Sequence, residues 1–359
     1  MKSTAISAAL LAFALGAVCA TPTLAQPPAA AGPYHAPRNA WGQPDLEGVW
    51  TNATLTKFER EAKYGDRLTM TPQEAAAIEH ANDKFIAQSN APTDPNVKTT
   101  DLPYECGRGF KGSDCGYNFA WTDPGTRVMD VGGQKRTSIL VDPADGRLPP
   151  MTEDGKKRLQ ARFKRSAWDG PESRSLGERC ILSFGSAAGP PMLPLLYNNN
   201  YQIYQNKDEV AILVEMVHDV RHIRLNAKHL PANYRQWMGD SIGHWEGDTL
   251  VVETTNLRPE QAFRGAGPNV KVLERFRRIS PTQILYSFTV EDPDTFTRPF
   301  SGEVALNASK GPIYEYACHE GNYALPGILA GARAMEKEGR DPGAGPRDAL
   351  GVPTEEGNE

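Results

Sequence analysis

His218-Asp219-Val220-Arg221-His222 sets two histidines four residues apart, the spacing with which one face of a helix ligates zinc. The surrounding residues read as a strand, however. At about 3.3 Å per residue the two rings stand about 13 Å apart, too far for one ion held through metal–nitrogen bonds of about 2 Å. No metal site is expected here, and no other cofactor motif is present. Continued as one strand, the run puts Val210, Ile212, Val214, Met216, His218, Val220 and His222 on one face. Ala211, Leu213, Glu215, Val217, Asp219 and Arg221 fall on the other. Glu215, Asp219 and Arg221 then make a carboxylate–guanidinium set, which anchors a ligand if the face lines a cavity and is a structural ion pair if it does not.

Two further stretches carry titratable groups. Gly239-Asp240-Ser241 sits in a bend where turn chemistry alone explains an Asp and a hydroxyl, with Trp237 just before it and His244 just after. Near the end, Ala317-Cys318-His319-Glu320-Gly321-Asn322-Tyr323 places a His–Glu pair beside a cysteine. An imidazole near a carboxylate is a general-base arrangement suited to neutral pH; the alternative is a helix cap. The candidate catalytic residues are therefore His218, Asp219, Arg221, Asp240, His244 and His319, with Glu215, Trp237 and Tyr323 as substrate contacts. No Gly-x-Ser-x-Gly elbow, Ser-x-x-Lys, P-loop or dinucleotide fingerprint is present, which argues against common serine hydrolases, nucleotide enzymes and Rossmann dehydrogenases.

The elements that must position these groups centre on Tyr234 to Asn256. Gly247-Asp248 predicts a two-residue hairpin turn, with Trp245 opposite Leu250, His244 opposite Val251 and Ile242 opposite Glu253. Trp245, Leu250, Val252 and Thr254 then share a core face; His244, Glu246, Thr249, Val251 and Glu253 share the other. Tyr201 to Leu225 is a second strand region, turning at Asn206-Lys207-Asp208. Leu273 to Ile279, Gln283 to Glu291 and Phe300 to Leu306 continue an antiparallel meander. One or two strands are expected around Gly132-Gly133. Helices are expected from the capping box Thr71-Pro72-Gln73-Glu74, over Thr152 to Phe163, and over Gly327 to Glu338.

Lys2, the apolar run Ala8 to Ala20 and the small residues near Ala25 read as a secretory signal over residues 1–25, followed by an extended leader over 26–43. A single β-rich domain with helical insertions is expected over 44–338, and a disordered tail over 339–359. Export to the periplasm or beyond places Cys106, Cys115, Cys180 and Cys318 in an oxidising compartment. Of three possible pairings, Cys106–Cys115 with Cys180–Cys318 is favoured because the first brackets a short Gly-rich loop; free or metal-binding thiols are the alternative. A net charge of −5 gives no basic footprint for nucleic acid, and no later stretch is apolar enough for a membrane span. With 29 Pro, 33 Gly and a mean hydropathy of −0.51, a loop-rich β protein is favoured over a helical bundle.

PDLEGVW, ERC at 178–180, GPPMLP with YNNNYQI, EMVHDVR, GDSIGHWEGDTLVVETTN, LERFRR, FTVEDP and YEYACHEGNY resemble a widespread, uncharacterised family of exported bacterial proteins. The resemblance covers most of residues 44–335 and implies an exported domain without a catalytic assignment; CGRGFKGSDC lies outside its pattern. Gly48-Val49-Trp50 is similar to the start of lipocalin-like barrels, which hold small apolar molecules in a central cavity. The expectation is a mainly β, antiparallel protein, a lipocalin-like barrel or sandwich with a few peripheral helices. Its cavity would bind a small, partly apolar molecule and possess His/carboxylate acid–base chemistry of the lyase, isomerase or hydrolase type. The alternatives are a non-catalytic periplasmic binding protein and a structural envelope protein.

Overall fold

The computed structural model describes residues 34–90, 96, 105–107, 110–111, 122–163, 167–183, 187–261 and 263–342. In chain order its elements are β1 (Gly48–Thr51), α1 (Pro72–Ser89), β2 (Glu105–Gly107), β3 (Phe110–Lys111), β4 (Asp130–Val131), β5 (Gln134–Lys135), β6 (Leu140–Asp142) and α2 (Glu153–Phe163). There follow β7 (Asn200–Gln205), β8 (Glu209–Val214), β9 (Val220–Leu225), β10 (Asp240–Glu246), β11 (Thr249–Thr255), β12 (Lys271–Ser280), β13 (Gln283–Glu291), β14 (Phe300–Ala308) and α3 (Ala324–Lys337). The expected signal, the first part of the leader, Cys115 and most of the tail lie outside the described residues, as does the Cys106–Cys115 pairing. From Tyr34 the leader is not extended alone: Gln43 Nε2 donates to the Lys207 carbonyl at 3.2 Å, and His35 and Arg38 meet the Asp248 carboxylate.

Strands β1 and β7 to β14 form a closed barrel in the order β1-β7-β8-β9-β10-β11-β12-β13-β14, with β14 pairing back onto β1. Strand β6 adds to the other end of β14. Closure satisfies the backbone groups that an open sheet would leave at its edges. All pairs around the barrel are antiparallel except β9–β10, which is parallel, so the expected meander is interrupted there. A parallel step cannot be made by a tight turn, and residues 226–239 supply the crossover.

The hairpin at Gly247-Asp248 forms in the expected register, with Trp245, His244 and Ile242 paired to Leu250, Val251 and Glu253. Gly247 takes the positive φ, 59°, that this turn requires. Leu250, Val252 and Thr254 face the core. The long strand expected from Val210 to His222 is instead two. Met216–His218 turns as a short 3-10 helix, Val217 is left-handed at φ 64°, and the Val214 amide donates to the Asp219 carbonyl at 2.8 Å. The apolar run conceals this reversal because Met216 and Val217 are buried with Ala187 in a separate small core. The alternation consequently restarts: Val220 and His222 face out, and Arg221, Ile223 and Leu225 face in.

Trp50, Tyr201, Phe276, Tyr286, Phe288 and Phe300 fill the described interior and are among the largest fully buried side chains. Each contributes about 1.5–3 kcal/mol of hydrophobic stabilisation. Phe288 lies over Gly302 on the neighbouring strand, where a Cβ would stand 2.4 Å from the ring. The segment containing Met192 reaches this interior, its amide donating to the Tyr286 hydroxyl at 3.0 Å.

Candidate functional site

Two polar clusters flank the wall formed by β9, β10 and β11. On its inner side, Arg221 grips Glu274 of β12 with both guanidinium ends, Nη1 to Oε1 at 3.0 Å and Nη2 to Oε2 at 2.7 Å. Nη2 also donates to Ser241 Oγ at 3.3 Å, and the Tyr286 hydroxyl donates to Glu274 Oε1 at 2.8 Å. Burial pushes the Arg221 pKa down, but the adjacent Glu274 carboxylate outweighs it and raises it. Burial raises the Tyr286 phenol well above its ordinary range, so it acts as a fixed hydrogen-bond donor at neutral pH. With both charges about 1% exposed or less, this cluster is sealed from solvent in the described structure.

On the outer side, Asp240 opens β10 and would face solvent if the crossover did not pass over it. The Leu230 amide donates to Asp240 Oδ2 at 2.7 Å, His229 Nδ1 meets the same oxygen at 2.8 Å, and Arg224 Nη2 donates to Oδ1 at 2.6 Å. Asp240 is left 3% exposed. Burial pushes its carboxyl up, and the Leu230 amide, His229 and Arg224 together outweigh that and hold it below the ordinary aspartate range. The other ring nitrogen of His229 lies 3.2 Å from Glu253 Oε1 on β11. Glu253 is 37% exposed and in turn approaches Lys271. His229 therefore has one nitrogen on a buried carboxylate and the other at a partly exposed one.

Arg224 also lines an open cleft of about 590 Å³, together with Trp41, Asn206, Lys207, Asp208 and Glu209. The cleft lies between the docked leader and the β7–β8 turn. The cleft joins the outer cluster through Arg224, which lines it and bonds Asp240; His229 is not among its lining residues.

The nine candidates from sequence separate in space. Asp240 joins the outer cluster and Arg221 the inner one. Glu215 is 5% exposed and accepts from Asn200 Nδ2 at 2.8 Å, tying the β8 end to β7 rather than pairing with Arg221. Asp219 is half-buried in the β8–β9 turn, and His218 belongs to the same turn, its side chain outside the described set. His244 is exposed on the outer face, 3.2 Å from Glu246, and at four residues' distance along β10 stands about 13 Å from Asp240. Trp237 packs under Arg258, whose guanidinium carbon is 4.1 Å from the ring centre. His319 and Tyr323 are exposed in the C-terminal segment. Cys318 of that segment is bonded to Cys180.

Sequence reasoning passed over His229, Arg224, Glu274 and Trp41, and placed Glu253 on the polar hairpin face without making it a candidate. Among the described residues no group of three or more His, Cys, Asp or Glu side chains has the geometry to hold a metal ion, and no helix is long and apolar enough to cross a membrane. No family model, curated protein or solved structure matches the chain.

Proposed function

We propose that this is an exported β-barrel protein of the family its sequence phrases resemble, and that it binds a small molecule at the outer cleft and transforms it by acid–base chemistry at His229. The ligand site is assigned to the outer face, not to the barrel cavity expected from sequence, because the described interior is filled by aromatic side chains and the Arg221–Glu274 pair. Export is supported by the signal-like first 25 residues and by the Cys180–Cys318 disulfide.

The observation carrying the catalytic reading is the placement of His229 between Asp240 and Glu253. Asp240 on Nδ1 fixes the ring and its tautomer; Nε2 then takes the proton from substrate or from water once Glu253, 3.2 Å away, turns aside, because an unprotonated nitrogen and a carboxylate oxygen are both acceptors. Asp240 stays ionised, and the imidazolium formed in the step is flanked by two carboxylates. The same bonds hold the crossover onto the barrel, but a purely structural tie does not require the second nitrogen to meet a partly exposed carboxylate. Acid–base lyase, isomerase and hydrolase reactions can each begin with such a transfer.

The test is incubation of the purified protein with cell extract, followed by mass spectrometry of captured and converted compounds. Conversion is expected to be lost in His229→Gln with capture retained, and to fall about 10²–10⁴-fold in Asp240→Asn. Conversion undiminished in His229→Gln sinks the catalytic assignment. Capture without conversion by the unaltered protein establishes the second reading, a binding protein using the Trp41 and Arg224 cleft.

A further inference from the structure

We infer that the outer cleft takes a flat, aromatic small molecule carrying a single negative charge, most simply an aryl carboxylate. This names the substrate class of the site proposed above and rests on that reading. Its flat wall is Trp41, 48% exposed yet held in place. The Trp41 and Gln43 amides both donate to Asn39 Oδ1 at 3.0 Å, and Gln43 fastens the segment to the Lys207 carbonyl. An exposed indole on a fixed turn is a stacking surface available without further ordering.

The charge preference follows from which polar groups of the cleft are already used. Glu209 is bonded to His222, and Asp208 lies 3.6 Å from Lys207. The Asn206 side-chain oxygen accepts from the Asp208 amide at 2.8 Å, which turns its nitrogen into the available end. Arg224 directs Nη2 inward, to Asp240 and to the Lys228 carbonyl at 3.1 Å, and its side chain remains 38% exposed. The donors left for a ligand are therefore the rest of the Arg224 fork and the Asn206 amide, with the Lys207 ammonium shared with Asp208. With both Nη2 hydrogens committed, Arg224 offers a carboxylate single charge-assisted bonds from Nε or Nη1 and no two-pronged edge. Asp208, Glu209 and Asp240 stand around the same donors, so a dianion such as a phosphate monoester meets more like charge than a carboxylate does.

The probes are 2-naphthoate, 2-naphthamide and 2-naphthylmethylamine, titrated into the full mature chain by calorimetry. The carboxylate is expected to bind saturably with one site, and the amide and amine at least about tenfold more weakly. Trp41→Ala is expected to weaken naphthoate about tenfold and Trp41→Phe to restore most of it, while Lys207→Ala weakens it severalfold. Absence of saturable naphthoate binding, equal binding of the amide, or indifference to Trp41→Ala each overturns the inference. Naphthoate binding is expected to survive His229→Gln. If it does and no extract compound is ever converted, the substrate class stands and the catalytic role of His229 fails. If conversion depends on His229 but naphthoate binding ignores Trp41, the reverse holds.

Discussion

Replacing Glu274 by Leu removes the only counter-charge that the described structure gives Arg221. Two charge-assisted bonds of 3.0 and 2.7 Å disappear, and the guanidinium, 1% exposed, keeps only hydroxyl partners at 3.3 and 3.5 Å. An ion stranded in the interior in this way costs about 3–5 kcal/mol, and Arg221→Met, which strands the carboxylate, costs a similar amount. At roughly 2 °C per kcal/mol for a chain of this size, each single variant should melt about 6–10 °C lower. The double variant Arg221→Met/Glu274→Leu strands neither charge. Ser241 and Thr254 keep their mutual bond of 2.8 Å, and Tyr286 still accepts from the Met192 amide. It should lie within about 2 kcal/mol of the natural protein, giving a coupling energy well above the roughly 0.2–1 kcal/mol of an exposed ion pair. Urea unfolding of the four proteins, followed by tryptophan fluorescence, measures the cycle. Single-variant losses below about 1 kcal/mol, or a double variant as unstable as the sum of the singles, would refute a sealed, mutually dependent pair.

Gly302→Ala places a methyl group 2.4 Å from the Phe288 ring and should cost about 1–3 kcal/mol by overpacking; additional Phe288→Leu should recover part of it, and unchanged stability would contradict the packing. Cys180→Ser/Cys318→Ser opens a link between residues separated by 138 positions, worth at most about 5 kcal/mol of denatured-chain entropy. Hydrogen exchange should rise over Gly321–Lys337 while the barrel strands stay protected; equal exchange in both proteins would show that the bond holds nothing there. Asp240→Asn should be less stable at neutral pH. Because the folded pKa of Asp240 lies below its unfolded value, its contribution is full above about pH 5 and is lost as pH falls through the folded pKa. The stability gap between natural protein and variant should therefore narrow on acidification, and a gap that widens below pH 4 would reverse the sign assigned here.

The barrel was legible in the sequence wherever a strand buries one face only. Between Gln283 and Glu291 alternation is clean enough to give both the element and its inward residues; between Thr249 and Thr255 it gives the element and Leu250, Val252 and Thr254 as inward, but Val251, expected on the polar face, is also buried. It failed at Glu215–Asp219 because the turn itself is buried. Met216 and Val217 are apolar for the sake of their own contacts with Ala187, so hydrophobicity runs unbroken through a reversal of the chain. A period-2 pattern carries no mark of such a turn, and the error propagates: every residue after it is assigned to the wrong face. Arg221 was thus grouped with Glu215 and Asp219, when its partner stands on another strand.

That partner was recoverable. In β12 the inward residues are Val272, Glu274 and Phe276, and a carboxylate between two core side chains demands a buried cation from a facing strand. His229 was not recoverable by the same means, since it belongs to no periodic element and its place depends on the direction of one pairing. Had β9 and β10 been antiparallel, a short turn would have joined them and residues 226–239 would have stayed beyond the strand ends. Because they are parallel, the chain must travel back along the outside of the wall to start β10 beside the second half of β9, Ser241 pairing with Ile223. That return path carries His229 and the Leu230 amide over Asp240, turning a carboxylate on the solvent side of a strand into a buried one. The candidate site is therefore a consequence of topology: Asp240 and Glu253 come from a hairpin that local sequence specifies, and the imidazole between them comes from the single parallel step in the barrel.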